Sequence, residues 1–303
     1  MNASPTPWTP SLLHAESGTR PTRRNVVVPL FDGTNTDLTI KLAASLAEEW
    51  DGDLVLVNPI IRPSEMPLDA PHDLLDDHRE SAQQELRASL DPKMDVQTRG
   101  TARTGRSFSA IIRDASRDFS AGAVVVDDSE PTTSTMPFGR TVSARLAGRL
   151  DCDVLTVGGT HASQTISSVL VPVAGGPHSG LAVDMASHMA ETHDAWVELL
   201  HVIEDSPSDR AHADAEEYVS APRDRLGEFD DVDTWVLEAD DPTDAIIEQS
   251  NYYDVTVMGA PQKSRLREFV FGSTAEDVRS SAHNTVITAE RPHERDSLLG
   301  RWL

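Results

Sequence analysis

The sequence predicts an α/β protein built from two tandem, open, five-stranded parallel sheets flanked by helices. Three observations predict it. Short apolar runs alternate with longer segments of helical periodicity along the chain. The runs NVVVPL, AVVV and VLTV have the apolar continuity of strands buried on both faces. The order then begins again near residue 168, so the chain reads as an internal duplication. Pro29 matches Pro172, Phe138-Gly139-Arg140-Thr141 matches Phe271-Gly272-Ser273-Thr274, and Cys152-Asp153-Val154-Leu155-Thr156-Val157 matches Asn284-Thr285-Val286-Ile287-Thr288-Ala289.

In the first half, residues 25–30 form a strand and Asp32-Gly33-Thr34 a turn. Leu38, Ile40, Leu42, Ala43, Leu46 and Ala47 recur at helical spacing, which predicts a helix over 37–50. A second strand covers 53–58, and Pro63, Pro67 and Pro71 make 60–73 a loop. A polar helix over 73–90 and a short strand over 95–99 follow. The helix over 107–119 carries Phe108, Ile111, Ile112 and Ala115 on one face. Residues 123–126 are a buried strand, 128–137 a loop, 139–150 a helix and 153–157 the last strand.

The second half repeats this: a strand over 168–173, a turn at Gly175-Gly176, a helix over 181–191 and a strand over 195–203. The helical pattern over 208–229 contains Pro222, which should break or restart it. A strand over 233–238 leads to a helix over 242–252, with Asp241 as its cap and proline in its first turn. A strand at 255–258, a basic loop, a helix opened by Gly272-Ser273-Thr274 and a strand over 284–289 complete the half. The domain reading is therefore a disordered tail over 1–23, a first domain over 24–158, a linker over 159–166, a second domain over 167–290 and a polar tail over 291–303.

The charge is lopsided, with 50 acidic against 26 basic residues and a formal net charge of −24. Only Lys41, Lys93 and Lys263 are lysines. Such a surface repels nucleic acid and anionic membranes, which excludes both as general partners. Acid excess with few lysines fits a soluble protein of a halophilic archaeon, whose high-salt cytoplasm screens self-repulsion. No apolar run reaches the length of a membrane span, and residues 1–22 lack the apolar core of a signal peptide, so the expectation is a cytoplasmic protein. Cys152, the single cysteine, can form no internal disulfide and reads as a small buried residue.

The chemistry-bearing stretch runs from 254 to 278. Val255, Val257 and Met258 form the strand, Gly259 ends it, and Lys263, Arg265 and Arg267 make the loop basic. Gly272-Ser273 then opens a helix, with Glu276 three residues after Ser273 as in a capping box. A helix start offers free N–H groups and partial positive charge, glycine lets backbone approach closely, and Ser or Thr adds a hydroxyl donor. That combination suits a phosphate. Glycine after a strand and Gly-Ser before a helix are also ordinary turn and cap chemistry.

With the duplication and the Gly259…Gly272-Ser273 spacing together, residues 25–290 resemble the universal stress protein family in its tandem form. The resemblance implies a Rossmann-like fold of the adenine nucleotide alpha hydrolase type, with many members dimerising through the last strand. ATP-binding members carry Gly, two residues, Gly, nine residues, then Gly-Ser or Gly-Thr. Gly259 and Gly272-Ser273 fit the first and last positions, while Gln262 replaces the second glycine. The family's acidic residue after the first strand is Ala174 here. The site implied in the second half comprises Pro172, Val173, Ala174 and Gly175 near the adenine, and Met258, Gly259, Gln262, Lys263, Arg265, Gly272, Ser273 and Thr274 near the phosphates. Its ligand would be ATP, or AMP or ADP, with Mg2+ entering on the nucleotide. In the first half Asp127 takes the place of Gly259, and with Asp128 and Glu130 it sets three negative charges where phosphates should lie, so that half reads as degenerate.

No catalytic set is legible. The histidines are scattered, and Ser273 has none beside it, so any hydrolysis should be slow. His178, in the turn near the site, reads as a solvated loop residue. Two functions follow from the resemblance. One is an adenine-nucleotide-binding regulatory module of the stress response. The other, favoured by Ala174 and Gln262, is a nucleotide-free module regulating a partner such as a membrane transporter. The halves could assemble as an internal pseudo-dimer or the chain as a homodimer. Burial of Val154, Leu155 and Val157 against Val286 and Ile287 would mark the former.

Overall fold

The computed structural model describes residues 24–30, 37–67, 72–90, 94–128, 146, 148–159, 165–204, 209–227, 229–260 and 274–292. One half comprises β1 (Asn25–Pro29), α1 (Asp37–Glu49), β2 (Asp53–Ile61), α2 (His72–Ser89), β3 (Gln97–Gly105), α3 (Phe108–Asp118), β4 (Ala121–Asp127) and β5 (Asp153–Gly159). The other comprises β6 (Ser168–Pro172), α4 (Pro177–His193), β7 (Trp196–Glu204), α5 (Asp209–Arg225), β8 (Val232–Ala239), α6 (Pro242–Ser250), β9 (Val255–Gly259), α7 (Thr274–Ser281) and β10 (Thr285–Glu290).

The strands form one sheet of ten in the order β3-β2-β1-β4-β5-β10-β9-β6-β7-β8. Each half is parallel throughout, as the α/β alternation requires. The expected pair of separate sheets is joined at its centre by an antiparallel ladder, with Val157 opposite Ile287 and Leu155 opposite Ala289. Val154, Leu155, Val157, Val286 and Ile287 are all buried. These strands are apolar on both faces, so either would be a hydrophobic open edge if left unpaired.

One face of the sheet carries a continuous core that runs across both halves, from Ile40, Leu46, Ala82 and Leu86 to Leu181, Met185 and Val219. The opposite face holds two separate clusters. Phe108, Ile111 and Ile112 of α3 pack on Val27, Val55 and Val126, and Ala245, Ile246 and Val278 pack on Leu170, Leu200 and Val286. The helices start where their caps place them. Ser107 Oγ accepts the Ala110 N–H at 3.3 Å, and Asp241 accepts the N–H groups of Thr243 and Asp244 at 2.7 and 3.2 Å.

Several boundaries differ from the sequence reading. Strand β2 continues to Ile61, past the end of β1, so Pro59 has a neighbour strand on one side only and costs no second ladder bond. The third strand lies at 97–105 rather than 95–99, because its polar edge sequence QTRGTARTG shows no apolar alternation. Pro222 does not break its helix. The helix runs three residues past it to Arg225, at the cost of the one N–H bond that a proline cannot donate. Gly159 is the last residue of β5, and Ile166 of the expected linker is buried in the main core. The expected tail over 1–23, the expected C-terminal tail from 293 onward, most of the helix at 139–150, and the turn at Asp32-Gly33-Thr34 lie outside the described residues.

Side chains reinforce the join between the halves. Arg279 of α7 forms a buried ion pair with Asp128, which follows β4. Its stem crosses β5 at Gly158, where a Cβ would stand 2.8 Å from the arginine Cγ and Cδ. On the other face, Ser45 of α1 lies 2.6 Å from His188 Nε2 of α4, whose Nδ1 pairs with Glu49. Removing one partner of a buried pair strands the other charge. Arg279→Met should therefore lower unfolding free energy by about 3–5 kcal/mol, and Asp128→Leu added to it should restore part of the loss. Urea denaturation measures both. An unchanged midpoint in the single variant would mean that solvent screens the pair.

Candidate functional site

The C-terminal ends of β6 and β9 lie side by side, since these strands are neighbours. Val173 donates its N–H to Leu200 O at 2.8 Å, and the chain then turns through Ala174, Gly175 and Gly176 into α4. Gly175 and Gly176 have φ of 75° and 86°, which side chains with a Cβ rarely adopt. Gly259 packs directly on the first turn of α4. A Cβ there would stand 2.7 Å from the backbone of His178 and Ser179. The helix approach alone therefore requires this glycine.

The structure thus brings together Pro172, Val173, Ala174, Gly175, Met258 and Gly259 around the α4 N-terminus. Gln262, Lys263, Arg265, Gly272 and Ser273 lie outside the described residues. So does the side chain of Thr274, whose backbone begins α7. Helix α4 begins at Gly176 with no side-chain cap, and its 17 residues present their positive dipole end here. Ser179 Oγ accepts the Ala174 N–H at 3.4 Å, a weak closure of the turn.

Two histidines support this corner. His178 is not a solvated loop residue: it is buried in the first turn of α4, where Nδ1 accepts the Arg291 N–H at 3.0 Å. His201, which the sequence did not single out, is buried at the end of β7. Its Nδ1 donates to Val173 O at 2.6 Å, and its ring stacks on Tyr218 at 4.6 Å. Burial holds its pKa below the ordinary histidine value, against the carbonyl bond, which raises it. A polar residue inside the apolar run LLHVI was the available signal.

The first half has the same backbone and different chemistry. Asp128 donates its N–H to Val157 O at 2.7 Å, as Ala260 does to Ala289 O at 2.8 Å. Asp127 and Asp128 thus stand where the second half has Gly259 and Ala260, and both are buried. The Arg279 guanidinium occupies the space beside Asp128. Glu130 lies outside the described residues.

A charged cluster lies near α4, where the start of β5 meets the end of β10. Asp184 accepts two bonds from Arg225, at 2.5 and 2.8 Å, and one from Arg291 at 3.1 Å. Burial pushes the Asp153 carboxyl up to about 6, with Arg291 and Arg24 opposing and Asp184 adding. Cys152 is inert: burial, then the neighbouring Asp153 and Asp151, raise its thiol to about 12. Among the described residues no group of three His, Cys, Asp or Glu could hold a metal ion. Ser45, His188 and Glu49 have the order of nucleophile, base and acid. Ser45 lies inside α1, though, where the surrounding N–H groups are bonded within the helix, so among the described residues the trio has no backbone donors for an oxyanion there, and it ties the two helices together.

A mostly parallel sheet covered on both faces, with a glycine turn and a helix start at its strand ends, defines the doubly wound α/β class. Within that class, residues 165–289 match the model of the universal stress protein family. A universal stress protein from Archaeoglobus fulgidus DSM 4304 aligns over 90% of this chain and 98% of its own, with a TM-score of 0.58 and 16% identity. A functionally unknown protein, PA1789 from Pseudomonas aeruginosa PAO1, aligns over 91% of this chain and 95% of its own, with a TM-score of 0.60 and 18% identity. The cytoplasmic domain of a prokaryotic cation chloride cotransporter aligns over 91% and 99%, with a TM-score of 0.56 and 12% identity. At these identities the likeness establishes the fold. The comparison with curated proteins gave no match. Among the described residues no helix is long and apolar enough to cross a membrane.

The raised Asp153 carboxyl gives a signed prediction. An unfolded aspartate titrates near ~3.9, and the folded one near about 6, so the native state holds the proton longer. Its contribution to stability is therefore lost as pH rises from about 4 to about 6, and stays lost above. Asp153→Asn should match the wild type near pH 4 and exceed it by about 2–3 kcal/mol at pH 7. Urea midpoints at a series of pH values measure the gap. A gap that does not widen with pH would mean the carboxylate is fully compensated by its arginines.

Proposed function

We propose that the chain is a tandem universal stress protein, with domains over 24–158 and 167–290 joined at 159–166, and that the second domain binds an adenine nucleotide. The observation that carries this is the contrast at the strand ends. In the second half Ala174, Gly175, Gly176, Gly259 and Ala260 surround a helix start that no side chain caps, and none of them is acidic. In the first half the equivalent positions hold Asp127 and Asp128. A helix N-terminus without nearby carboxylates favours a phosphate. The adenine would lie by 172–175, and the phosphates of ATP, ADP or AMP over Gly259 and the Gly272-Ser273-Thr274 start, with Lys263 and Arg265 in the loop between.

Mg2+ would be held by the phosphates, since no described cluster of acids offers it a site of its own. The module would act by binding in a stress response, with hydrolysis slow at most. The acidic composition supports a high-salt cytoplasm as its setting, and the β5–β10 ladder supports an internal pseudo-dimer. A second reading is a nucleotide-free module that regulates a partner such as a membrane transporter. Ala174, in place of the family acid, favours it, as does Gln262 in place of a glycine.

Calorimetric titration with ATP and with AMP in molar KCl separates the two. Micromolar binding that is lost in Gly272→Arg is expected. Folded, nucleotide-free protein that binds neither ligand would overturn the nucleotide reading and leave the partner reading.

A further inference from the structure

The two outer ends of the sheet are built alike and charged oppositely. From β3 through α3, residues 97–118 contain five arginines (Arg99, Arg103, Arg106, Arg113, Arg117) against Asp114 and Asp118, a net of +3. From β8 through α6, residues 232–250 contain six acids (Asp233, Glu238, Asp240, Asp241, Asp244, Glu248) and no base, a net of −6. A positive end of this kind is conspicuous in a chain of net charge −24. The exposed large hydrophobics fall at the same two ends. Ile61 and Met66 lie beside the end of β3, and Trp196, Trp235 and Tyr252 lie around β8 and α6.

Both β3 and β8 are edge strands, nine and eight residues long, and neither contains a proline. Among the described residues no further strand pairs with either, so each has one row of backbone donors and acceptors facing outward. The strands also run in opposite directions, because the halves join antiparallel. A second copy that continues the sheet therefore brings its β8 against β3 as an antiparallel neighbour, with α3 and α6 on the same face. Arg99 is registered with Val55, whose side chain packs under α3, and Arg103 with Arg99 lies over the Phe119 ring. Trp235 is registered with Leu200, which packs under α6, and Asp233 lies two residues before it on that face. Continuation of the sheet places the arginines of one copy opposite Asp233 and Trp235 of the next, as an ion pair and a cation–π contact.

We propose that the β3 edge is a docking surface for the β8 edge of a second copy of this chain. The contact is heterologous, so it leaves one free end of each kind and extends head to tail. It is independent of nucleotide binding.

Sedimentation velocity from micromolar to submillimolar protein, in KCl at about 0.15 M where only charges within about 8 Å interact strongly, tests this. The wild type should grow with concentration in steps of 33.0 kDa beyond a dimer. Arg99→Glu with Arg103→Glu should be monomeric alone, and so should Asp233→Arg with Asp240→Arg. Their equimolar mixture should regain growth, because the unaltered ends pair and the two charge-reversed ends are again of opposite sign. Thermal unfolding of each variant confirms that it is folded. A wild type that stays monomeric, variants that retain its assembly, or a mixture that fails to pair would each overturn the proposal.

Discussion

The antiparallel ladder between β5 and β10 is the constraint on which the rest depends. A parallel half ends in a strand that is apolar on both faces, and such a strand cannot remain an open edge in water. Pairing the two last strands removes both edges at once. It also fixes everything lateral to them. It sets α1 against α4, where Ser45, His188 and Glu49 meet, and it carries α7 across β5, where Gly158 leaves room for the Arg279 stem. It decides that β3 and β8, rather than any strand nearer the centre, are the ends exposed to solvent.

Equivalent parallel ladders in the two halves, β4 on β5 and β9 on β10, explain how two copies of one backbone can diverge in chemistry without diverging in shape. The hydrogen bonds Asp128 to Val157 and Ala260 to Ala289 are equivalent, so the backbone at both strand ends is held by the same ladder positions. The side chains there are free to differ. In the first half, the acids sit close to the join, and Arg279 from the other half compensates Asp128 in a setting where an isolated carboxylate would be costly. In the second half the corresponding positions are glycine and alanine, beside the N-terminal end of α4.

Much of this was legible in sequence. The apolar runs located the buried strands, and the matched landmarks Pro29 and Pro172 revealed the repeat, because both depend on local composition. The β3 strand was misplaced because an edge strand buries little and so shows no periodicity. His178 looked solvated because a Gly-Gly-Pro turn reads as loop, whereas its side chain is buried under the chain leaving β10. His188 and Ser45 are 143 residues apart, and nothing local announces their contact. At the candidate site, the glycines were read as close-approach residues. For Gly259 the close approach that the structure shows is that of the α4 backbone.

That last point bears on how the site is tied to the join. Gly259 packs on the backbone of His178 and Ser179, His178 Nδ1 holds the N–H of Arg291, and the Arg291 side chain reaches Asp184 while its charge acts on Asp153 of the other half. The helix start that would face an anion is thus mechanically continuous with the last residues of β10. Contiguity of this kind is not a switch. A switch needs an element with two arrangements that the ligand weights differently. Every link here is a buried or close-packed contact with one evident geometry, and a Cβ at Gly259 has no room to shift it. The physical expectation is therefore a stiff corner, in which the join holds the α4 N-terminus in position and a bound anion adds stability to an arrangement already formed.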